Sequence, residues 1–280
     1  VSNIEKILKR LGIDLYTHVI NWAEFRDLQL SFLRASTPDS EIPTDHAIVA
    51  VLHQLAVKMG VRYVISGSNM VTEAILPRRW SYGHSDWRYI RSIQRLFSIT
   101  PLRTYPHYSV WQLLYYKLIR RHYFIDILNF VPYMKEEVMR ILEKELEWRN
   151  YGGKHHESIY TRFFQGYILP NKFGIDKRRA HLSTLICSGQ INREKALEDI
   201  KQDIYSTQQI NEDREFVIKK LGITEDDFKK IMSAPTKTYW DYPNYEQQLL
   251  SKMIYYFALT INQEGVSIWK MVFKKFGGIA

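Results

Sequence analysis

Only one cysteine, Cys187, occurs among the 280 residues. An internal disulfide framework and any cysteine-rich zinc module within the chain are thereby excluded. No apolar run approaches the ~20 residues that a membrane-spanning helix needs. The richest stretch, Ala47 to Val61, is broken by His53, Gln54 and Lys58. The opening Val1-Ser2-Asn3-Ile4-Glu5-Lys6 has neither the basic start nor the apolar core of a secretory signal. Also missing are a G-x-S-x-G elbow, a Walker loop, a G-x-G-x-x-G turn, a fixed-period repeat and any low-complexity segment. The expectation is a cytoplasmic globular protein without membrane insertion.

What the chain does have is basic charge. Thirty-nine Lys and Arg against 30 Asp and Glu give +9. Such an excess suits an anionic partner: nucleic acid, an acidic membrane surface or phosphorylated small molecules. The 14% aromatic content suits sugar and nucleotide surfaces, although most such rings serve as core.

Residues 3–11 read as an amphipathic helix with Ile4, Ile7, Leu8 and Leu11 on one face, ended by Gly12. Asp14 to Ile20 is rich in β-branched and aromatic residues and reads as a strand. A helix over Trp22–Leu33 and a loop over Ser36–Pro43 follow. Thr44 is the expected N-cap of a helix to Met59, apolar nearly all round and therefore expected to be buried. Val61 to Ile65 then forms a strand running into the polar loop Ser66-Gly67-Ser68-Asn69. This order is that of an α/β fold, a parallel sheet with crossover helices. From about Pro106 the pattern is mostly helical, with an apolar strand at Tyr123–Val131 able to extend the sheet. Helices are expected near residues 110–121, 135–148, 156–169, 178–188, 193–205, 213–221, 225–232 and 245–261. The division that follows is 1–105 and 106–280.

Three stretches carry candidate chemistry. Open parallel sheets bind ligands beyond the carboxyl ends of their strands, which points to Ser66, Gly67, Ser68 and Asn69. Backbone N–H groups in such a turn can cradle phosphate, and Glu73, one turn on, can hold a magnesium ion that bridges phosphates. The second stretch, Pro77 to Arg91, packs four arginines, two tryptophans and two tyrosines around Gly83 and His84. Guanidinium forks take phosphate or carboxylate, and aromatic faces stack on bases or sugars. The third comprises His155, His156 and Glu157, then Lys172 and the run Lys177-Arg178-Arg179. Adjacent helical residues point about 100° apart, so the histidine pair suits ligand contacts better than a shared metal. Cys187, in an apolar helix, reads as packed rather than nucleophilic.

At these residues the chain resembles the bacterial N-acetyl sugar amidotransferases of the PP-loop ATP-pyrophosphatase superfamily, which act in lipopolysaccharide and related surface-glycan biosynthesis. The carriers are Pro43-Thr44-Asp45-His46-Ala47, the string Ile65 to Glu73 running into Arg78-Arg79-Trp80-Ser81-Tyr82, Trp148 to Ser158, and Lys172 to Ser183. The family's Ser-Gly-Gly-x-Asp-Ser loop and paired cysteines do not occur. The resemblance therefore implies an N-terminally truncated Rossmann-like sheet, or one half of a split protein, followed by the helical region. It implies ATP- and Mg2+-dependent conversion of an acetamido group on a nucleotide-linked sugar into an acetamidino group. Ammonia would come from a glutaminase resembling that of histidine biosynthesis, with its cyclase-like companion. On this reading Ser66, Gly67, Ser68, Asn69 and Glu73 hold the nucleotide and its magnesium. Arg78, Arg79, Trp80, His84, His155, His156 and Glu157 face the nucleotide-sugar. Lys172, Lys177, Arg178 and Arg179 neutralise phosphate.

Two other classes compete. The basic, aromatic-rich stretch would suit a PP-loop protein that modifies tRNA, or RNA binding in general, but the chain carries no attached RNA-binding module and no cysteine pair. A non-catalytic fragment is the third reading.

Overall fold

The computed structural model describes residues 2–149, 158–202 and 205–260. Helices α1 (Ser2–Leu11), α2 (Trp22–Arg34) and α3 (Ile42–Met59) precede strand β1 (Tyr63–Ser66). The short α4 (Met70–Glu73) follows, then α5 (Trp87–Phe97), and α6 (Val110–Leu114), which runs on as a π-helix over Tyr115–Ile119. Strand β2 (Tyr123–Asp126) pairs in parallel with β1, Tyr63 opposite Tyr123 through Ser66 opposite Asp126. Beyond it lie α7 (Lys135–Leu146) and α8 (Ile159–Phe163), the latter continuing as a π-helix over Phe164–Phe173. Then come α9 (Lys177–Cys187), α10 (Arg193–Lys201), α11 (Thr207–Leu221), α12 (Glu225–Ser233) and α13 (Leu249–Thr260).

These elements gather into two compact units. One is made of Val1–Val19, Ser68–Ser81 and Leu128–Thr236; the other of Ile20–Gly67, Tyr82–Ile127 and Lys237–Ala280. The second unit contains the strand pair. Its core joins Leu28 and Phe32 of α2, Ile42 and Ala47 of α3, and Tyr89, Ile90 and Ile93 of α5 with Tyr105, Tyr239 and Tyr242. The spacing of 28 and 32, and of 89, 90 and 93, places one face of each helix inward. Two buried carboxylates on α2 fasten the loop after α5. Glu24 accepts the backbone N–H groups of Arg103, Thr104 and Tyr105. Asp27 accepts those of Ile99 and Thr100 and the hydroxyl of Ser98.

In the first unit, Phe163, Phe164, Ile168 and Leu169 are fully buried, and Phe163 lies 5.9 Å from Phe228 of α12. A two-pronged ion pair, Arg162 Nε to Asp213 Oδ2 at 2.8 Å and Nη2 to Oδ1 at 2.7 Å, ties α8 to α11. The Tyr205 hydroxyl donates to the Arg162 carbonyl, and its ring lies against Gly166. A Cβ at position 166 would collide with the Tyr205 ring. Gly166→Ala is therefore expected to cost about 2 kcal/mol, an overpacking penalty, read as a lower urea midpoint. The double variant with Tyr205→Ala should relieve the clash, and an undiminished penalty there would refute this cause.

Several sequence expectations change. Residues 14–20 form no strand and lie mostly exposed. β-Propensity needs a neighbouring ladder, and among the described residues the only strand pair is β1 and β2. Helix α3 starts before Thr44: Pro43 sits in its first turn and Glu41 at the N-cap, without a side-chain capping bond. Proline's preset φ favours that early start. Nor is α3 buried all round, since Thr44, Asp45 and Ile48 are exposed. The Tyr123–Val131 segment is strand only to Asp126, because β1 ends at Ser66 and offers no partner beyond it. Helix α5, capped by Asp86, was hidden within the arginine-rich stretch. Cys187 is exposed at the end of α9 rather than packed.

Candidate functional site

The strand-end loop divides between the units: Ser66 and Gly67 belong to one, Ser68, Asn69 and Glu73 to the other. Asn69 is buried and caps α4, its Oδ1 accepting Thr72 N at 2.9 Å and the Thr72 hydroxyl at 3.0 Å. Met70 N donates to Asn129 Oδ1 at 2.8 Å. The first turn of α4 is thus tied to neighbouring side chains.

A four-residue helix leaves its own carbonyls open, and α9 satisfies them. His181 Nδ1 lies 3.2 Å from Thr72 O and donates to it. The Ser188 hydroxyl donates to Val71 O at 2.8 Å, and Thr184 Oγ1 accepts Ile75 N at 3.1 Å. Positions 181, 184 and 188 share one helical face. The structure thereby joins two strings far apart in sequence, the segment following Ser66–Asn69 and the basic stretch Lys172 to Ser183. His181, Thr184 and Ser188 escaped selection as site residues; their i, i+3, i+7 spacing is the signal that could have found them.

The four candidate phosphate ligands differ in what occupies them. Arg178 pairs with Asp176, Nη2 to Oδ2 at 2.8 Å, and donates to Gln202 O at 2.7 Å. Lys172 donates to Ile231 O, and burial pulls its pKa down to about 8. Lys177 opens α9 half-buried, and Arg179 beside it is exposed, its guanidinium without a partner among the described residues. Glu73 is exposed, as are Arg78 and Arg79, while Trp80 is half-buried. His155, His156 and Glu157 lie outside the described residues.

In the other unit, His84 is held between two carboxylates. Its Nε2 lies 3.3 Å from Asp39 Oδ2 and 3.3 Å from Asp45 Oδ2. Asp39 is buried and its Oδ1 accepts Glu41 N at 3.1 Å. Gly83 makes the turn possible: its φ is +75°, and a Cβ there would meet the Tyr89 and Tyr239 rings at 3.0 Å. The backbone of His84 is fixed by buried His46, whose Nδ1 lies 2.7 Å from His84 O while its Nε2 accepts Tyr108 N at 3.2 Å. This arrangement sets the His46 tautomer, and burial pushes its pKa down to about 4. The His46 ring also stacks on Tyr108, centroids 4.3 Å apart, and on Trp87 at 5.6 Å. An imidazole between two carboxylates can hold or pass a proton. Asp39 and Asp45 were not selected from sequence; the Asp45-His46 pair was the available signal.

Comparison with known proteins adds one finding to this geometry. Residues 157–255 match the family model described as the C-terminal domain of WbpG-like LPS biosynthesis proteins. The matched segment takes in α8 through α12 and with them Lys172, Lys177, Arg178 and Arg179. It supports the role in LPS biosynthesis expected from the sequence. No curated protein and no solved structure matches the chain. No helix among the described residues is long and apolar enough to cross a membrane.

Proposed function

We infer that the protein is an LPS-biosynthesis enzyme of the N-acetyl sugar amidotransferase type, acting in the cytoplasm on a nucleotide-linked sugar. The reaction exchanges the oxygen of an acetamido group for the nitrogen of ammonia, with ATP split to AMP and pyrophosphate. The carrying observation is the docking of α9, inside the segment matched to LPS biosynthesis proteins, onto α4 after the strand-end loop. Together these two helices would form a phosphate-facing surface for the nucleotide.

An amide is a poor electrophile, and ATP supplies the adenylyl group that makes its oxygen able to leave. The chain's own task is orientation, charge stabilisation and exclusion of water. Arg179 and Lys177 would neutralise phosphate oxygens, and Arg78 and Arg79 the acidic nucleotide-sugar. Glu73 would hold magnesium. Among the described residues no group of three or more His, Cys, Asp or Glu side chains is placed to hold a metal ion by itself. One carboxylate with substrate phosphates completing the shell is a usual magnesium arrangement, so the residues present fit that ion. Ammonia would arrive from a partner glutaminase.

The reading is tested in the bacterium that encodes the protein. Deleting the gene should leave the acetamido oxygen in place on the LPS sugar, read by mass spectrometry, and the wild-type gene should restore the amidine. Arg179→Ala should restore about a tenth or less, the loss expected for one charged phosphate contact. An unaltered LPS sugar in the deletion strain would overturn the assignment.

A further inference from the structure

A cleft of about 230 Å³ opens at the amino-terminal ends of β1 and β2, lined by Gly60, Val61, Arg62, Ile119, Arg120 and His122. It lies at the opposite end of the strands from Ser66, within a single unit. No carboxylate lines it.

Helix α3 and the π-helix over Tyr115–Ile119 both end here, and exposed carbonyls would make the cleft hostile to anions. Four carbonyls of these two helix ends are already occupied. Ala56 O accepts Val61 N at 2.9 Å, and Val57 O accepts Gly60 N and Arg120 Nη2, each at 3.3 Å. Tyr115 O accepts Arg120 N, and Tyr116 O accepts His122 N, both at 3.0 Å. Arg120 thus spends one nitrogen on a helix end. The exposed Arg62 guanidinium spends none, making no hydrogen bond or ion pair among the described residues.

His122 completes the wall. It is 2% exposed, and its buried Nδ1 has no hydrogen-bond partner among the described residues. Buried polar atoms are almost always satisfied, so an unpartnered imidazole nitrogen on a residue of a cleft that two arginines also line is unusual. Burial and the neighbouring Arg120 both oppose protonation of this ring. An anion between the arginines would reverse the second of these effects.

We propose that this cleft binds the phosphate group of a small phosphorylated ligand, with Arg62 and Arg120 donating to its oxygens and His122 closing the wall. The site is separate from the nucleotide loop and does not rest on the amidotransferase reading.

The test uses inorganic phosphate on the full chain at constant ionic strength, followed by calorimetry and by the NMR signals of the His122 ring. Saturable binding is expected, with a shift of the His122 signals and an upward movement of its titration midpoint. Arg62→Ala, at an exposed position, should weaken binding about tenfold, as expected for loss of a charge-assisted contact. Phosphate binding that leaves the His122 signals unmoved, or equal affinity in Arg62→Ala, would overturn the site. So would the absence of saturable binding, which would leave the arginines as balancing charges at two helix ends. Competition by AMP or by a hexose 1-phosphate would name the source of the phosphate. A cleft that admits inorganic phosphate but neither compound would overturn the ligand class.

Discussion

Replacing Asp86 with alanine should lower the unfolding free energy by about 4 kcal/mol, because it strands several buried donors and removes a helix cap. The Asp86 carboxylate is fully buried. Its Oδ2 accepts the Tyr239 hydroxyl at 2.5 Å and Tyr245 N at 2.7 Å, and its Oδ1 caps α5 through Tyr89 N at 2.9 Å. Urea denaturation of Asp86→Ala at pH 7 reads the loss; a change below about 1 kcal/mol, the size of a lone cap, would refute the account. Titration supplies a second signature. Burial raises the Asp86 pKa from 3.8 to about 6, against the pull of its hydrogen bonds. Between those values the unfolded chain releases its proton first, so stability falls as pH rises through the window. The contribution is about 3 kcal/mol. His46 and His53, both pushed down to about 4 by burial, act oppositely: they lose stability as pH falls from 6.5. Comparing wild type with Asp86→Asn cancels the histidines, and the wild-type advantage should shrink from pH 4 to pH 6. Parallel pH profiles would sink the assignment.

Glu24→Ala should have an effect of similar size, about 4 kcal/mol, since three backbone N–H groups lose their acceptor at once. Glu24 is 5% exposed and accepts Arg103 N at 3.0 Å, Thr104 N at 2.9 Å and Tyr105 N at 2.9 Å. Glu24→Gln keeps one acceptor oxygen and should cost roughly half as much. Burial raises the Glu24 pKa, but the hydrogen bonds from Thr104, Tyr105 and Arg103 outweigh it and the net shift is downward from 4.5. The stabilisation is therefore complete above pH 4.5 and is lost as pH falls through the lowered value. Hydrogen exchange at the amides of residues 103–105 gives the direct check: they should lose protection in Glu24→Ala, and unchanged protection would refute the role.

How these carboxylates behave was not legible in the sequence. Glu24 and Asp27 sit three apart on a helix that reads as ordinary and amphipathic, and their partners lie more than 70 residues away. Asp86 lies in a stretch whose dominant signal is its arginines, which mask the N-cap and the start of α5. The opposite holds for Thr224: the string Thr224-Glu225-Asp226-Asp227 reads on its own as an N-cap with an acidic first turn, and Thr224 forms a capping box with Asp227. Local hydrogen bonding is written in short strings; long-range anchoring is not.

The same division runs through the candidate site. Strand β1, the polar loop after it, and the helices from α7 to α13 were readable from periodicity, because apolar spacing reports which face of an element is buried. The chain alone also singled out Lys177, Arg178, Arg179 and His84 by chemistry. Only the tertiary structure decided that Arg178 is spent on Asp176 while Arg179 faces solvent without a described partner, and that His84 meets Asp39 and Asp45. Only it could dismiss the strand expected at residues 14–20, since a ladder requires a partner that sequence periodicity does not name. Composition and spacing determine what each segment can do; which groups remain available for a ligand depends on contacts made across the fold.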